Sequence, residues 1–283
     1  MYKGYKIVVC VPAGRRKYLS FMKKYLYRQL EEGILDAVQL WKNTINPDDI
    51  LCLEEMAKEN PKVKIYEIDE PITPTWESYN AMQTHKFFKF AHEDNTIYIR
   101  LDDDIVWVEE GALEKICQAR IDHPDAYVIY PNVINSTMCT SWHQEIGALS
   151  EEAGIVRKED PKDLDWCYLD SFNYSSAELI KHIFNTFKKR YGEKTLSAYY
   201  LPSKSFDDYK HFSICSICWW GFDKVSPSEL EETQMAYELP MLFKRPVWFC
   251  GSALLYHVFY HTQRQSIGGD EEPYLEYFRK IVK

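Results

Sequence analysis

Three consecutive carboxylates, Asp102, Asp103 and Asp104, interrupt the apolar stretch T-I-Y-I-R-L-D-D-D-I-V-W-V-E that runs from Thr96 to Glu109. Ile97, Ile99 and Leu101 alternate with Tyr98 and Arg100, a period of two that predicts a strand ending at the acids. Burying three adjacent acids raises their proton affinity through mutual repulsion and desolvation unless a cation shares the charge. Hard oxygen donors suit Mg²⁺ or Mn²⁺, and such an ion is typically held by one or two carboxylates with substrate phosphates completing its shell. The plain alternative is a solvated acidic turn. Apolar strands on both sides argue instead for the mouth of a buried strand, where open α/β sheets bind ligands. A D-D-x-x-D prenyl-synthase pattern is excluded, because position 106 is Val106.

Other residues with chemical potential lie far away in sequence. The apolar run K-I-V-V-C-V, from Lys6 to Val11, leads into Pro12, Ala13, Gly14 and Arg15, a turn where a glycine lets backbone approach a ligand and Arg15, Arg16 and Lys17 supply positive charge. Asp69, after the third apolar run, is placed to accept hydrogen bonds from a base or ribose, or is a loop acid. The late segment Y-H-V-F-Y-H-T-Q-R contains His257, His261 and Arg264; a neutral imidazole is a good Mn²⁺ ligand, and a lone histidine is as often a core residue. W-W-G-F-D-K-V-S-P-S-E-L-E-E offers Asp223, Glu231 and Glu232 as general bases, while Trp219 and Trp220 are either a sugar platform or core. Cys215 and Cys218 form a C-x-x-C without a second pair, inside an apolar run. Most of the 8 Cys lie in apolar runs and read as buried reduced thiols of a cytosol-like compartment, and a zinc or redox role for the pair is disfavoured.

The elements that must hold these groups follow from periodicity. Strands are predicted at Lys6 to Val11, Ala37 to Trp41, Val63 to Ile68, on both sides of the acids, and at Ala126 to Val133. Helices are predicted at Tyr18 to Leu35, from the turn N-T-I-N-P-D-D through Ala57, at Thr75 to Phe90, Gly111 to Arg120 and Ser175 to Tyr191, and from near Ser228. Asn135 to Trp166 shows no sustained period and reads as an acceptor-binding insertion or lid. Phe212 to Phe222 is strand-like, Val247 to Arg264 a strand pair or a strand and loop, and Pro273 to Val282 a short terminal helix. Alternating strands and helices predict an α/β fold with a mostly parallel, Rossmann-like central sheet. At 283 residues one such domain is expected, with a nucleotide-binding half at 1–134, an acceptor-binding and catalytic half at 135–267 and a tail at 268–283.

A net charge of −9 argues against nucleic-acid binding, which needs clustered Lys and Arg. The N-terminus shows no signal-peptide pattern and no apolar run reaches the roughly 18 residues of a membrane span, so a soluble, cytoplasmic protein is expected. Sequons at Asn135 and Asn173 do not change that.

In their order and context, I-Y-I-R-L-D-D-D, the first strand with its P-A-G-R turn and the late Y-H-V-F-Y-H-T-Q-R resemble the metal-dependent glycosyltransferases of the GT-A fold, across most of the chain. The resemblance implies a smaller acceptor-side sheet, and a UDP-sugar donor held through Mn²⁺ or Mg²⁺. It makes I-Y-I-R-L-D-D-D the D-x-D motif, with Asp102 on the ribose or a metal-bound water, Asp103 assisting and Asp104 on the metal. His257 would complete the coordination, with His261 behind it. Arg264 would neutralise the diphosphate, and Pro12, Ala13, Gly14, Arg15, Asp69 and Arg100 would line the nucleotide. For an inverting transfer to a glycan acceptor it implies a base at Asp223, by similarity to a W-G-x-x-D pattern, or at Glu231 or Glu232, by similarity to a D-E-E from which Leu230 departs. The chain as a whole is similar to chlorovirus-encoded glycosyltransferases, which implies UDP-xylose as donor and the host cytoplasm as location. Two other readings stay open: a nucleotidyltransferase that makes a sugar nucleotide, and a carbohydrate-binding protein without activity.

Overall fold

The computed structural model describes residues 1–68, 74–75, 78–81, 86–156, 174, 176–206, 212–223, 227 and 231–282. Asp69, Asn173 and Cys167 lie outside the described residues. The strands are β1 (Lys6–Ala13), β2 (Ala37–Lys42), β3 (Val63–Tyr66), β4 (Pro74–Thr75), β5 (Ser78–Ala81), β6 (Thr96–Leu101), β7 (Ile105–Val108), β8 (Ile129–Ile134), β9 (Lys204–Phe206), β10 (Ser216–Trp220) and β11 (Val247–His257). The helices are α1 (Arg16–Glu31), α2 (Pro47–Glu59), α3 (Ala112–Asp122), α4 (Thr137–Glu145) and α5 (Ala177–Gly192), then an irregular α6 over 231–243, α7 (His261–Ser266) and α8 (Glu272–Ile281).

Nine strands form one sheet in the order β3-β2-β1-β6-β10-β8-β11-β7, with β9 on β11. β1, β2, β3, β6, β8 and β11 point one way; β7, β9 and β10 run against them. The expected α/β class with a large, mostly parallel central sheet flanked by helices is therefore found. The acceptor-half strands belong to this same sheet, and β4 with β5 makes a separate two-stranded ribbon.

Burial on both faces explains the continuous apolar runs. Along β1, Ile7, Val9 and Val11 enter the core beneath α1, where Leu19, Met22, Leu26 and Leu30 pack, while Val8 and Cys10 enter the opposite core with Trp41, Phe87, Phe88 and Trp219. The chain leaves β1 toward β2 on one side and returns at β6 on the other. The parallel ends of β1 and β6 thus bound a crevice of the kind that binds ligands at a topological switch point.

Three departures from periodicity have physical causes. Where the sequence predicts a helix over Thr75 to Phe90, the described residues form the β4–β5 ribbon and a short 3₁₀ turn at Lys86–Lys89. Phe87 and Phe88 are adjacent and both fully buried, against each other and Trp219, a demand that one face of a surface helix does not meet. Within the unpatterned 135–166 stretch, Ser136 accepts from the Cys139 N–H and caps α4, seven of whose residues are buried, so amphipathic spacing is lost there. In α6, Pro240 has no N–H and its ring crowds the carbonyl four residues back; the preceding turn, Gln234–Glu238, widens to π geometry, with the Leu239 N–H reaching the Gln234 carbonyl.

β11 has an irregularity of its own. Cys250 pairs with Pro131 and Leu254 with the very next residue, Asn132, so 251–253 bulge out of register. Asn132 donates to the carbonyls of Gly251 and Tyr199, and a Cβ at Gly251 would lie 1.9 Å from the Leu201 carbonyl oxygen. Among the described cysteines all seven are free; Cys215 and Cys218 are buried thiols whose pKa burial pushes up, which leaves the C-x-x-C no reactive thiolate. No described helix is long and apolar enough to cross a membrane.

Candidate functional site

The three acids occupy a tight turn. The Ile105 N–H donates to the Asp102 carbonyl across three residues, and the Asp102 N–H donates to Cys215 at the start of β10, so β6 and β7 are joined by a corner from which the three side chains diverge. Each meets a cation supplied by the chain itself, and Asp103 and Asp104 share one of them, Arg15.

Asp102 turns to Arg100, whose Nε donates at 2.7 Å and whose second nitrogen lies 3.2 Å from Glu231 on α6. Arg100 is 4 % exposed over the Phe87 ring, which places it beneath the crevice as a support for two carboxylates and corrects its expected role in lining the nucleotide. Burial raises the Asp102 pKa despite Arg100, with Asp104 and Glu231 adding repulsion.

Asp103 accepts from the Gly14 N–H at 2.9 Å, the Arg15 N–H at 2.8 Å and Arg15 Nε at 2.8 Å. The backbone approach expected of the P-A-G-R turn is real, but the anion it meets is Asp103. Pro12, Ala13 and Gly14 are buried, so this turn comes to the crevice with the half-buried Arg15 as its most accessible group among 12–15.

Asp104, 4 % exposed, holds Arg15 and Arg264 at 2.9 Å each on Oδ2, and its Oδ1 lies 3.3 Å from His257 Nε2. Burial works against its charge, but Arg15, His257 and Arg264 outweigh it and hold the pKa well below the usual carboxylate range. His257 arrives at this edge as the last residue of β11, where it pairs with Ile105. Its carbonyl accepts from Asn135, which also donates to Val258 and Gln263. Asn135 has a φ of 64° and is 2 % exposed, so its sequon is closed to a glycan. This clamp, like Tyr18 and Lys17 on the buried Glu271, was not signalled by sequence spacing.

A divalent cation can be tested against these donors. Two ligands of one octahedral ion at about 2.1 Å stand about 3 Å apart, close to the 3.3 Å between Asp104 Oδ1 and His257 Nε2. Asp103 has both oxygens engaged, Asp102 is held by Arg100, and no group of three or more His, Cys, Asp or Glu ligands gathers among the described residues. His257 Nδ1 is buried without a hydrogen-bond partner, where a ligating histidine usually has one. The donors fit an ion held by Asp104 and His257 and completed by water or phosphate oxygens, not a self-contained metal centre.

Of the proposed bases, Glu231 and Glu232 are on the Arg100 side of this edge. Burial raises the Glu232 pKa to about 7, against Arg100 and a hydrogen bond with Ser213, with Asp102 and Glu231 repelling. Asp223 is elsewhere. β10 runs antiparallel to β6, pairing Ser216 with Leu101 and Trp220 with Ile97, so Asp223 lies beyond the far end of β6, four strand residues or about 13 Å away. There it makes a two-pronged pair with Arg245, which also caps the Asp125 and Ala126 carbonyls. Asp223→Ala is expected to cost about 2 kcal/mol in urea unfolding, as for a lost charged hydrogen bond, and to leave turnover unchanged; a turnover loss without destabilisation would return Asp223 to the site. Trp219 is fully buried against Tyr98 and Phe88, and Trp220, 3 % exposed, stacks on Phe222, so neither presents a face to a sugar.

No protein-family profile matches the chain, and no curated protein sequence does. Among solved structures, CMP:2-keto-3-deoxy-manno-octonic acid synthetase complexed with CTP aligns over 96% of this chain and 98% of its own, with 11% sequence identity and a TM-score of 0.45. A likeness of that degree says nothing of what this chain binds.

Proposed function

We propose that the crevice at the ends of β1, β6 and β11 binds a nucleotide sugar and that the protein transfers its glycosyl group, with inversion, to a hydroxyl of a glycan acceptor. The observation that carries this reading is the meeting of Arg15, Arg264, Asp104 and His257 at the switch-point edge, with Glu231 and Glu232 beside them. Residues 1–134 supply the donor side and 135–267 the acceptor side. A UDP-sugar is the donor we infer, with UDP-xylose as the first to try.

In this reading Arg15 and Arg264, both partly exposed, face the diphosphate and stabilise the charge that builds on it as the sugar departs. Asp102 orients the ribose. Glu232 takes the proton of the attacking hydroxyl, its affinity already poised for that exchange. A bound Mn²⁺ or Mg²⁺ at Asp104 and His257 would add Lewis-acid stabilisation of the departing diphosphate.

Arg16 and Lys17 are paired with Asp48 and Glu271, so Arg15 and Arg264 are the guanidinium groups described on the Asp104 carboxylate. Trp219 and Trp220, the two rings offered as a sugar platform, are buried, which takes that support from a purely carbohydrate-binding reading.

Phosphorus NMR of the protein with Mn²⁺ and a panel of UDP-sugars is expected to show UDP release that rises with acceptor. Pyrophosphate release from a nucleoside triphosphate plus a sugar phosphate, with no UDP from any UDP-sugar, would establish the nucleotidyltransferase instead.

A further inference from the structure

We propose that Arg15 and Arg264 serve as an internal cation for Asp104, so that a divalent ion and a diphosphate enter this site by one exchange and each tightens the other. The inference rests on the reading of the crevice as a nucleoside-diphosphate site. Both guanidinium groups share one oxygen, Asp104 Oδ2, while Oδ1 faces His257 Nε2 at 3.3 Å. A divalent ion seated between Asp104 and His257 therefore draws on the carboxylate that neutralises both arginines.

Each arginine has a second anchor that keeps it at the crevice once Asp104 is taken. Arg15 Nε stays on Asp103 at 2.8 Å, and Arg264 stays on the Phe259 carbonyl at 3.0 Å with Glu271 at 3.9 Å. The Glu271 contact is made by Arg264 Nε, which is buried and beyond hydrogen-bond distance of that carboxylate. In the ion-free protein Asp103 and Asp104 balance Arg15 and Arg264. Adding a dication alone leaves an excess of positive charge in a poorly solvated place, and adding a diphosphate alone leaves an excess of negative charge. Together they restore balance, and by linkage the gain each ligand gives the other is equal.

The exchange predicts opposite signs for one substitution. Free Mn²⁺ is measured by electron paramagnetic resonance on chelator-treated full-length protein, alone and with saturating UDP, subtracting the complex that manganese forms with the anion in solution. In wild type, UDP is expected to tighten Mn²⁺ binding about 5- to 100-fold, the ordinary span of site-to-site coupling. Arg264→Gln, confirmed folded by its thermal melt, is expected to bind Mn²⁺ alone several-fold more tightly than wild type and to lose most of the UDP-dependent gain. Arg264→Lys keeps the charge and is expected to stay near wild type, and Arg15→Gln repeats the test should Arg264→Gln fail to fold. His257→Ala is expected to abolish the binding in every background, which places the ion.

Mn²⁺ binding that is unchanged or weaker in folded Arg264→Gln and Arg15→Gln, equal in wild type with and without either UDP or inorganic pyrophosphate, or indifferent to His257→Ala overturns the exchange. Coupling seen with inorganic pyrophosphate but absent with UDP supports the exchange and overturns the nucleotide reading.

Discussion

Asp104→Ala is expected to lower glycosyl transfer by about a thousandfold and to destabilise the metal-free protein by about 3 kcal/mol. The first figure is the size of effect seen when one preorganised charge-stabilising group is removed from an active site. The second comes from removing one partner of a buried ion pair, which strands the others: Arg15, Arg264 and His257 all lose their shared carboxylate. The pH dependence has a definite sign. The folded Asp104 pKa lies below its unfolded value, so the stabilisation is fully present above the unfolded pKa of about 4 and fades only as pH falls through the folded value. Urea unfolding of wild type and Asp104→Asn should therefore show a constant gap from pH 7 to about 4 that narrows below. Equal midpoints in metal-free buffer would mean that the arginines do not lean on Asp104.

Glu232→Gln is the second large effect. A positioned general base is worth about 10²- to 10⁴-fold, and the variant should lose turnover in that range while binding UDP normally. In wild type the burial-raised pKa puts the acid limb of the turnover profile near 7, with the rate rising as the carboxylate forms and reaching a plateau above. Stability moves the other way. A carboxyl whose folded pKa is raised contributes stability below its unfolded pKa and loses it as pH rises through the folded one, so Glu232→Gln should become more stable relative to wild type across pH 5 to 8. Glu231→Gln, beside Arg100, should weaken turnover less and shift the limb downward, because it removes the repulsion that Glu231 adds at Glu232. A Glu232→Gln enzyme with an intact rate and limb would transfer the base to another residue.

Much of this arrangement was legible in residue order. β1, α1, β2, α2 and the acid-bearing β6 were readable because each keeps one period over its length, and the turn at Gly14 and the acids at 102–104 do converge. The charge logic was half legible. Three adjacent acids required positive partners, and the structure supplies three from within, Arg100, Arg15 and Arg264; two of them come from distant segments that no local spacing connects. Asp223 was misplaced because strand direction is not written in composition: an antiparallel β10 carries the chain beyond Trp220 away from the acids, while a parallel one would have brought it to them. The 75–90 helix failed where tertiary packing of Phe87 and Phe88 overrode local preference.

The bulge in β11 gives the crevice a dependence on a remote point. His257 reaches Asp104 because 251–253 are looped out before the strand re-pairs with Asn132; taking that slack back in by one residue would present the imidazole to the opposite face of the sheet. Gly251, six residues but only about 13 Å of sheet upstream because of the loop-out, therefore acts as the zero mark of a ruler whose far end sets one side of the ion's seat, held there by the Leu201 backbone pressed against it. Drift at that interior glycine would be read out as altered ligand affinity at the crevice, by a residue that never touches the ligand.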